Sequence, residues 1–220
     1  DCTAKQDEAV LDKEVGTLLG LSRQLGREDA IVTTPMIAAQ AYYIIRNNDK
    51  SLFYCDQAIK ESEKRMKPDD MMAYSVWKVA LFQKAAILVG NKKRKEAIGL
   101  YEHVAAEAAR RADVLYVLEG YRMSGFLNDE LGKHEEAFIR FLLALEAGSH
   151  LDINVRRTST FVYAASMAMR LCRKVRGKQD LEILESLLEQ WLGADWHELT
   201  EAFDRQVEPT SHKLSLFGRN

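Results

Sequence analysis

The chain has 220 residues, of which 47% are hydrophobic and three are proline, so it can form one sizeable domain or a stack of small repeated units. Its 31 Lys and Arg residues nearly balance its 33 Asp and Glu residues, and the formal charge of −2 offers no overall attraction to nucleic acid or to an anionic membrane. We expect no membrane contact, because no stretch has the roughly 20 apolar residues of a membrane-spanning segment and the first residues lack a signal sequence.

The cysteines, Cys2, Cys55 and Cys172, lie far apart and form no CxxC pair. This pattern favours reduced thiols over a disulfide framework, and we therefore expect a cytoplasmic protein. The sequence opens at Asp1 rather than at a methionine, and we expect that a leader or a larger preceding domain has been removed.

Apolar residues recur at spacings of three and four almost throughout the chain, and alternating strand patterns are missing. The first helix is predicted from about Ala4 to Leu25, with its end near Gly26. A second helix is predicted to begin after Thr33-Thr34-Pro35, because hydroxyl side chains cap free amides and proline suits a first turn.

Polar and glycine-containing breaks then divide the chain at regular intervals, and each is predicted to separate two helices. They are Asn47-Asn48-Asp49, Lys67-Pro68-Asp69-Asp70, Gly90-Asn91, Gly132-Lys133, Gly148-Ser149 and Gly177-Lys178. Helix pairs with short turns are typical of an internal repeat.

One stretch of the sequence carries the clearest repeat signature. Gly125, Gly132, Ala137, Phe141 and Ala144 follow one another at steps of seven, five, four and three. This pattern resembles the tetratricopeptide repeat, in which small residues lie where paired helices cross and a glycine ends the first helix. Helix axes approach to about 8–10 Å only where the side chains at the crossing are small.

The same steps fit two earlier stretches less well. Ala85, Ala97 and Tyr101 match, whereas Val104 and Lys92 replace a small residue and the turn glycine. A weaker copy has Arg46 at the expected glycine and small residues at the other positions, which are Ala39, Ser51, Cys55 and Ala58.

A fourth pair is predicted from about 154 to 191, with small residues Ala164, Ala165 and Ala168. The anchors Ala39, Ala85, Gly125 and Ala165 are spaced by 46, 40 and 40 residues, longer than the ~34 of the ordinary repeat. We therefore expect longer helices.

The resemblance implies an all-α fold, a right-handed α-α superhelix of helical hairpins of the α-solenoid class. We expect one domain over residues 1–208 and a tail at 209–220. Within the domain, 1–32 form an N-terminal capping helix, about 33–191 three to four helix pairs and 192–208 a C-terminal capping helix. An unrelated, tightly packed helical bundle is the alternative.

Sequence motifs for catalysis or metal binding are missing. There is no GxxxxGK[ST], GxGxxG or GxSxG, and the five histidines are scattered. His197-Glu198 opens HELTE, which lacks the second histidine of the HExxH zinc motif because Glu201 stands in its place. We expect neither an enzyme nor a metal or cofactor site.

The last predicted hairpin is divided by charge, with bases only from 153 to 179 and acids only from 180 to 204. One interpretation is that the two halves attract each other. The other is that the basic half forms a strip that binds an acidic partner or nucleic acid. Sparse aromatic residues argue against nucleic acid. The candidate strip is Arg156, Arg157, Arg170, Arg173 and Lys174.

In a tetratricopeptide-like stack the first helix of each pair lines the concave groove, and the resemblance gives the groove positions by register. They are Glu119, Arg122, Phe126 and Asp129 in the best repeat, Phe82 in the preceding repeat, and Met36, Gln40 and Tyr43 in the weakest.

These positions suggest an adaptor or scaffold that binds a protein or peptide segment in the groove. A peptide- or ligand-sensing regulatory domain of a larger signalling or transcription-regulating protein is the alternative, and a helical enzyme is a third. The sequence leaves the partner and the oligomeric state open.

Overall fold

The computed structural model describes the backbone of residues 2–67 and 70–207 and the side chains of residues 8–67 and 70–202. The predicted tail at 209–220 and part of the predicted break at 67–70 lie outside the described residues. Within them the secondary structure is helical, without a strand. The helices are α1 (Cys2–Gln24), α2 (Glu28–Ile44), α3 (Asn48–Glu63), α4 (Met71–Gly90), α5 (Arg94–Arg110), α6 (Val114–Glu130), α7 (His134–Ser149), α8 (Ile153–Arg156), α9 (Ser159–Val175), α10 (Lys178–Leu192) and α11 (Trp196–Val207).

The chain forms two compact units, Asp1–Ala97 and Ile98–Asn220, here called unit 1 and unit 2. In unit 1, α2 packs against α1 and α3, and α3 packs against α4. In unit 2, α7 packs against both α6 and α9, and α11 lies mainly on α9. Trp196 of α11 belongs to the buried core of unit 2, so the helix predicted beyond Leu192 is present and covers that core.

Four of the turns between helices share one backbone geometry, although their sequences differ. Arg46, Lys92, Ala112 and Gly132 each adopt a left-handed φ between +55° and +74°. In each turn the next residue donates its N–H to the carbonyl five residues back, at 2.8–2.9 Å. This hydrogen bond is the Schellman closure of a helix C-terminus. Arg46 and Lys92 thus occupy the predicted glycine position of the repeat, at a conformational cost of about 1 kcal/mol each.

The start of the second helix is a correction to the sequence prediction. α2 begins at Glu28, and Pro35 lies inside it. The Thr33 hydroxyl donates back to the Asp29 carbonyl at 2.9 Å instead of capping the helix. Val32 and Met36 are both buried in one core cluster of unit 1, and their burial outweighs the hydrogen bond that Pro35 removes.

Two further features were not predicted. A break at residues 111–113 separates α5 from α6 without glycine or proline, because Ala112 takes the left-handed conformation. The short helix α8 precedes α9, so the fourth helix pair begins at Ser159 rather than near Asn154.

Helix crossings in unit 2 are as close as the sequence predicted. Ala137, Phe141 and Ala144 are completely buried. A Cβ on Gly125 would lie 3.2 Å from the Phe141 ring, which fills the space that the glycine leaves. Gly120 is tighter still, since a Cβ there would lie 2.7 Å from the Tyr101 carbonyl oxygen. The predicted small residues therefore lie where helices touch.

Unit 1 repeats this arrangement with different residues. Ala39, Ser51, Cys55 and Ala58 are all completely buried. The Ser51 hydroxyl donates to the Ala39 carbonyl at 2.8 Å, so it satisfies its hydrogen bond across the α2–α3 crossing. Burial raises the pKa of the Cys55 thiol to about 12, and Cys55 therefore acts as a small core residue rather than as a nucleophile.

The expectation that no stretch could span a membrane does not hold for α4. Its 20 residues reach the length and mean hydropathy of a membrane-spanning helix. However, 56% of this apolar window is buried inside the fold, as is usual for a core helix. Trp77, Ala80 and Ala85 are among its buried residues.

A charged group also fixes the helices of unit 2. Glu102 on α5 accepts hydrogen bonds from the Ser124 hydroxyl on α6 and from Nε of Arg140 on α7, both at 2.6 Å. Burial raises the pKa of Glu102, but these hydrogen bonds outweigh burial, and the pKa lies below its ordinary value. Glu102 thus joins three consecutive helices.

We expect Gly120→Ala to lower the free energy of unfolding by about 1–3 kcal/mol, because its Cβ would clash with a backbone carbonyl. Gly99→Ala is the matched control. Gly99 is a helical glycine with open space around it, and the substitution should stabilise the chain by about 0.5–1 kcal/mol. Urea unfolding measures both effects, and equal effects would contradict a close crossing at Gly120.

We expect Glu102→Gln to lower the free energy of unfolding at neutral pH by about 1–2 kcal/mol. A carboxyl group with a lowered pKa in the folded chain stabilises the fold above its unfolded pKa and loses that contribution as the pH falls through the folded pKa. The difference between wild type and variant should therefore shrink from neutral pH to about pH 3. Urea unfolding across this range is the measurement, and a constant difference would show that the charge of Glu102 is not responsible.

Candidate partner-binding site

The predicted groove positions of α6 lie alongside α9 in unit 2. The Glu119 carboxylate is 2.7–2.8 Å from Nη2 and Nε of Arg122 and accepts a 3.2 Å hydrogen bond from the Thr160 hydroxyl of α9. The Arg122 guanidinium carbon lies 5.4 Å from the centre of the Tyr163 ring, also on α9. We call this surface the α6–α9 face and define it by Glu119, Arg122, Phe126, Asp129, Thr160, Tyr163 and Arg170.

The burial of Arg122 was not predicted. Its exposed fraction is only 6%, and it is held by Glu119, Met123 and Tyr163. We expected Arg122 to contact a partner, but in this position it supports the face from beneath. Burial raises the pKa of Tyr163 to about 12, so Tyr163 stays neutral below the Arg122 guanidinium at physiological pH.

The other end of the face is a chain of charged and polar groups. The Asp129 carboxylate lies 2.6 Å from Nη2 of Arg170 and 2.8 Å from Nδ1 of His134. Nζ of Lys174 lies 2.7 Å from Nε2 of the same imidazole. Arg170 remains 62% exposed despite its ion pair, so this end of the face presents positive charge to solvent.

Phe126 lies between these two ends on α6. It is half-buried against the core cluster of unit 2. Glu119 and Asp129 are ten residues apart, which corresponds to about 15 Å along a helix. The face is therefore an aromatic surface with an acid at one end and bases at the other.

The groove positions predicted in unit 1 are dispersed. Met36 is 6% exposed and belongs to the core, which corrects its assignment as a groove residue. Gln40 is exposed, and Tyr43 and Phe82 are half-buried. Val79, which precedes Phe82 on α4, packs against the same core cluster as Met36.

The bases of the predicted strip differ in their partners and in their burial. Arg157 pairs with Asp195, as expected for attraction within the last hairpin. Arg156 is half-buried, and its Nε has no hydrogen-bond partner among the described residues. Arg173 is exposed.

The remaining bases of the strip reach back to the preceding hairpin. Arg170 and Lys174 contact α6 and α7 through Asp129 and His134, and the Arg176 guanidinium pairs with Glu135 of α7. The acids of α10 are therefore not the main partners of these bases.

Sequence reasoning missed Thr160, Tyr163 and His134. The missed signal was the repeat length itself. Glu119 and Thr160 are 41 residues apart, Asp129 and Arg170 also 41, and His134 and Lys174 40. One repeat step therefore places each pair side by side on adjacent hairpins.

In the part of the chain with described side chains, no group of three or more His, Cys, Asp or Glu residues is placed to hold a metal ion. The ionisable groups of the α6–α9 face are paired with one another, as described above. Their arrangement suits recognition of charge and shape.

Solved structures that share this fold include the following two. One is RapI in its apo form, with a TM-score of 0.65, 13% sequence identity and coverage of 94% of this chain. This chain spans 56% of the length of RapI. The other is BtubC from P. vanneervenii, with a TM-score of 0.58, 14% identity and coverage of 100% of this chain and 95% of BtubC. At these identities the similarity concerns the fold alone.

No protein-family model matches the sequence, and no curated protein matches it. The structural similarities nevertheless confirm the predicted fold class, an all-α solenoid of helical hairpins.

We expect Arg122→Ala to lower the free energy of unfolding by about 2–3 kcal/mol, because it removes a buried cation and leaves Glu119 without its main partner. Arg170→Ala is the matched control. It also breaks an ion pair of the face, but at an exposed site, and should cost less than about 1 kcal/mol. Thermal and urea unfolding measure both effects. A larger loss for Arg170→Ala would contradict the supporting role of Arg122.

Proposed function

We propose that this chain is a tetratricopeptide-like adaptor that binds a protein or peptide segment on the α6–α9 face. The observation that carries the proposal is the half-buried Phe126 side chain between Glu119 and the exposed Arg170. Aromatic and arginine side chains dominate binding energy at protein interfaces when a rim of polar groups surrounds them. Arg122 and Tyr163 hold the face rigid, which lowers the entropy lost on binding.

The charge order of the face suggests the partner's chemistry. A fitting segment has an apolar side chain over Phe126, a base near Glu119 and an acid near Arg170. The face is about 15 Å long, which corresponds to roughly five residues of extended peptide or ten residues of helix. Oppositely charged ends favour one direction of the bound segment over the other.

A regulatory domain that senses a peptide or ligand is the second candidate. It is favoured by the polar contacts that join α6, α7 and α9, because a ligand that competes for Asp129 or Arg170 would loosen them. RapI, which shares the fold, was determined in an apo form. Binding with a change in scattering radius would favour a sensor, and binding without one an adaptor.

The other predictions remain part of this proposal. The face has its only described aromatic rings at Phe126 and Tyr163, and Tyr163 is buried, so it lacks the stacking surface that single-stranded nucleic acid needs. A cytoplasmic location agrees with the free, buried thiols of Cys55 and Cys172. We propose no catalytic role.

The test uses a photo-crosslinking amino acid at position 126 to capture the partner from a cell extract. The same amino acid at position 53 is the control, because Phe53 is 55% exposed on α3 in unit 1. The captured segment is then synthesised and titrated against purified chains. We expect Phe126→Ala to weaken its binding by about tenfold or more, and Phe53→Ala to leave it unchanged.

Melting curves of both variants separate lost binding from lost folding. Crosslinking of the same proteins at positions 126 and 53, or unchanged affinity of a folded Phe126→Ala variant, would overturn the assignment of the α6–α9 face.

A further inference from the structure

Unit 1 contains a partly open cavity of about 420 Å³ between α1, α2 and α3. Sites for small ligands are usually clefts of about 300–1,000 Å³ with apolar walls and a few convergent polar groups. The apolar part of the cavity wall consists of Leu19 of α1 and Ile31 and Pro35 of α2. Pro35 is buried, and Leu19 and Ile31 are half-buried, so these side chains form a fixed floor rather than a mobile rim.

Three cations border the same cavity. Arg23 comes from the last turn of α1, Lys60 from the last turn of α3 and Arg65 from the segment that follows α3. Arg65 is tied down, because its Nη1 donates to the Glu28 carbonyl oxygen at 2.8 Å. Among the described residues neither Arg23 nor Lys60 has an acidic partner. Two of the cations that line the cavity are therefore not paired with an acid among the described residues.

The wall also contains Gln57 of α3, and two of its other polar residues, Ser22 and Glu61, have partners of their own. The Ser22 hydroxyl donates to the Leu18 carbonyl at 2.7 Å and lies 3.1 Å from the Thr34 hydroxyl. Glu61, the acid of the wall, has its carboxylate 2.7 Å from Nζ of Lys64, outside the cavity. The cavity thus combines positive charge and the Gln57 amide with apolar surface.

We propose that this cavity binds a small amphipathic anion, a monocarboxylate whose aliphatic or aromatic tail rests on Leu19, Ile31 and Pro35. The carboxylate accepts charge-assisted hydrogen bonds from Arg23 and Lys60. Such a group is presented by free aliphatic acids and by the C-terminal residue of a peptide. This site lies in unit 1 and does not depend on the proposed function of the α6–α9 face in unit 2.

The test is titration of the full chain with sodium octanoate, followed by calorimetry and by amide chemical shifts. We expect saturable binding, with shifts at residues of the cavity wall such as Leu19, Ile31 and Lys60. Octan-1-ol and octylammonium carry the same tail without the negative charge. The affinity of each should be lower than that of octanoate by about tenfold or more.

The double substitution Arg23→Gln with Lys60→Gln should weaken octanoate binding by about tenfold or more. Lys13→Gln is the matched control, because Lys13 is an exposed lysine of α1 that does not line the cavity. All these side chains are on the surface, so melting temperatures should stay close to that of the wild type.

A second titration identifies the source of the carboxylate. Displacement of octanoate by a peptide that ends in a free leucine carboxylate, but not by its C-terminal amide, assigns the site to polypeptide ends. Binding of octanoate without such displacement assigns it to free small acids. Octylammonium binding as tightly as octanoate, an unaffected double variant, or no saturable binding of any acid would overturn the proposal.

Discussion

The close approach of helix backbones is the constraint on which the rest of unit 2 depends. A Cβ at Gly120 would lie 2.7 Å from the Tyr101 carbonyl oxygen and 2.8 Å from the Cβ of Ala105, so only glycine fits at this crossing. Aromatic rings fill the space beside other small residues, as Phe141 does at Gly125. These contacts fix the position of each helix relative to the helix packed against it, because a close-packed interior does not deform continuously.

Fixed crossings give the repeat length a functional consequence. When adjacent hairpins cross at equivalent positions, residues about 40 apart lie side by side, and Asp129 meets Arg170 in this way. The resulting contacts tie α6 to α9 and leave Phe126 accessible between opposite charges. The face proposed for binding therefore arises from packing between helices and does not require a dedicated loop.

Different parts of this arrangement were predictable to different degrees. The helix crossings were predictable, because Gly125, Ala137 and Ala144 follow the repeat spacing and only small side chains fit at these positions. The break at Ala112 and the start of α2 were not, since tertiary packing there overrides the usual preferences of alanine for helices and of proline for first turns. The burial of Arg122 was not predictable either, because Tyr163, whose ring lies next to its guanidinium group, is 41 residues away.

The most direct test of this account is a nuclear Overhauser spectrum of the chain with labelled alanine methyl groups. The account predicts a strong cross-peak between the Ala105 methyl group and the α-protons of Gly120, because their backbones touch at this crossing. If this cross-peak were absent and the Ala105 methyl group showed a cross-peak to water instead, the close packing on which the fold and the α6–α9 face depend would be contradicted.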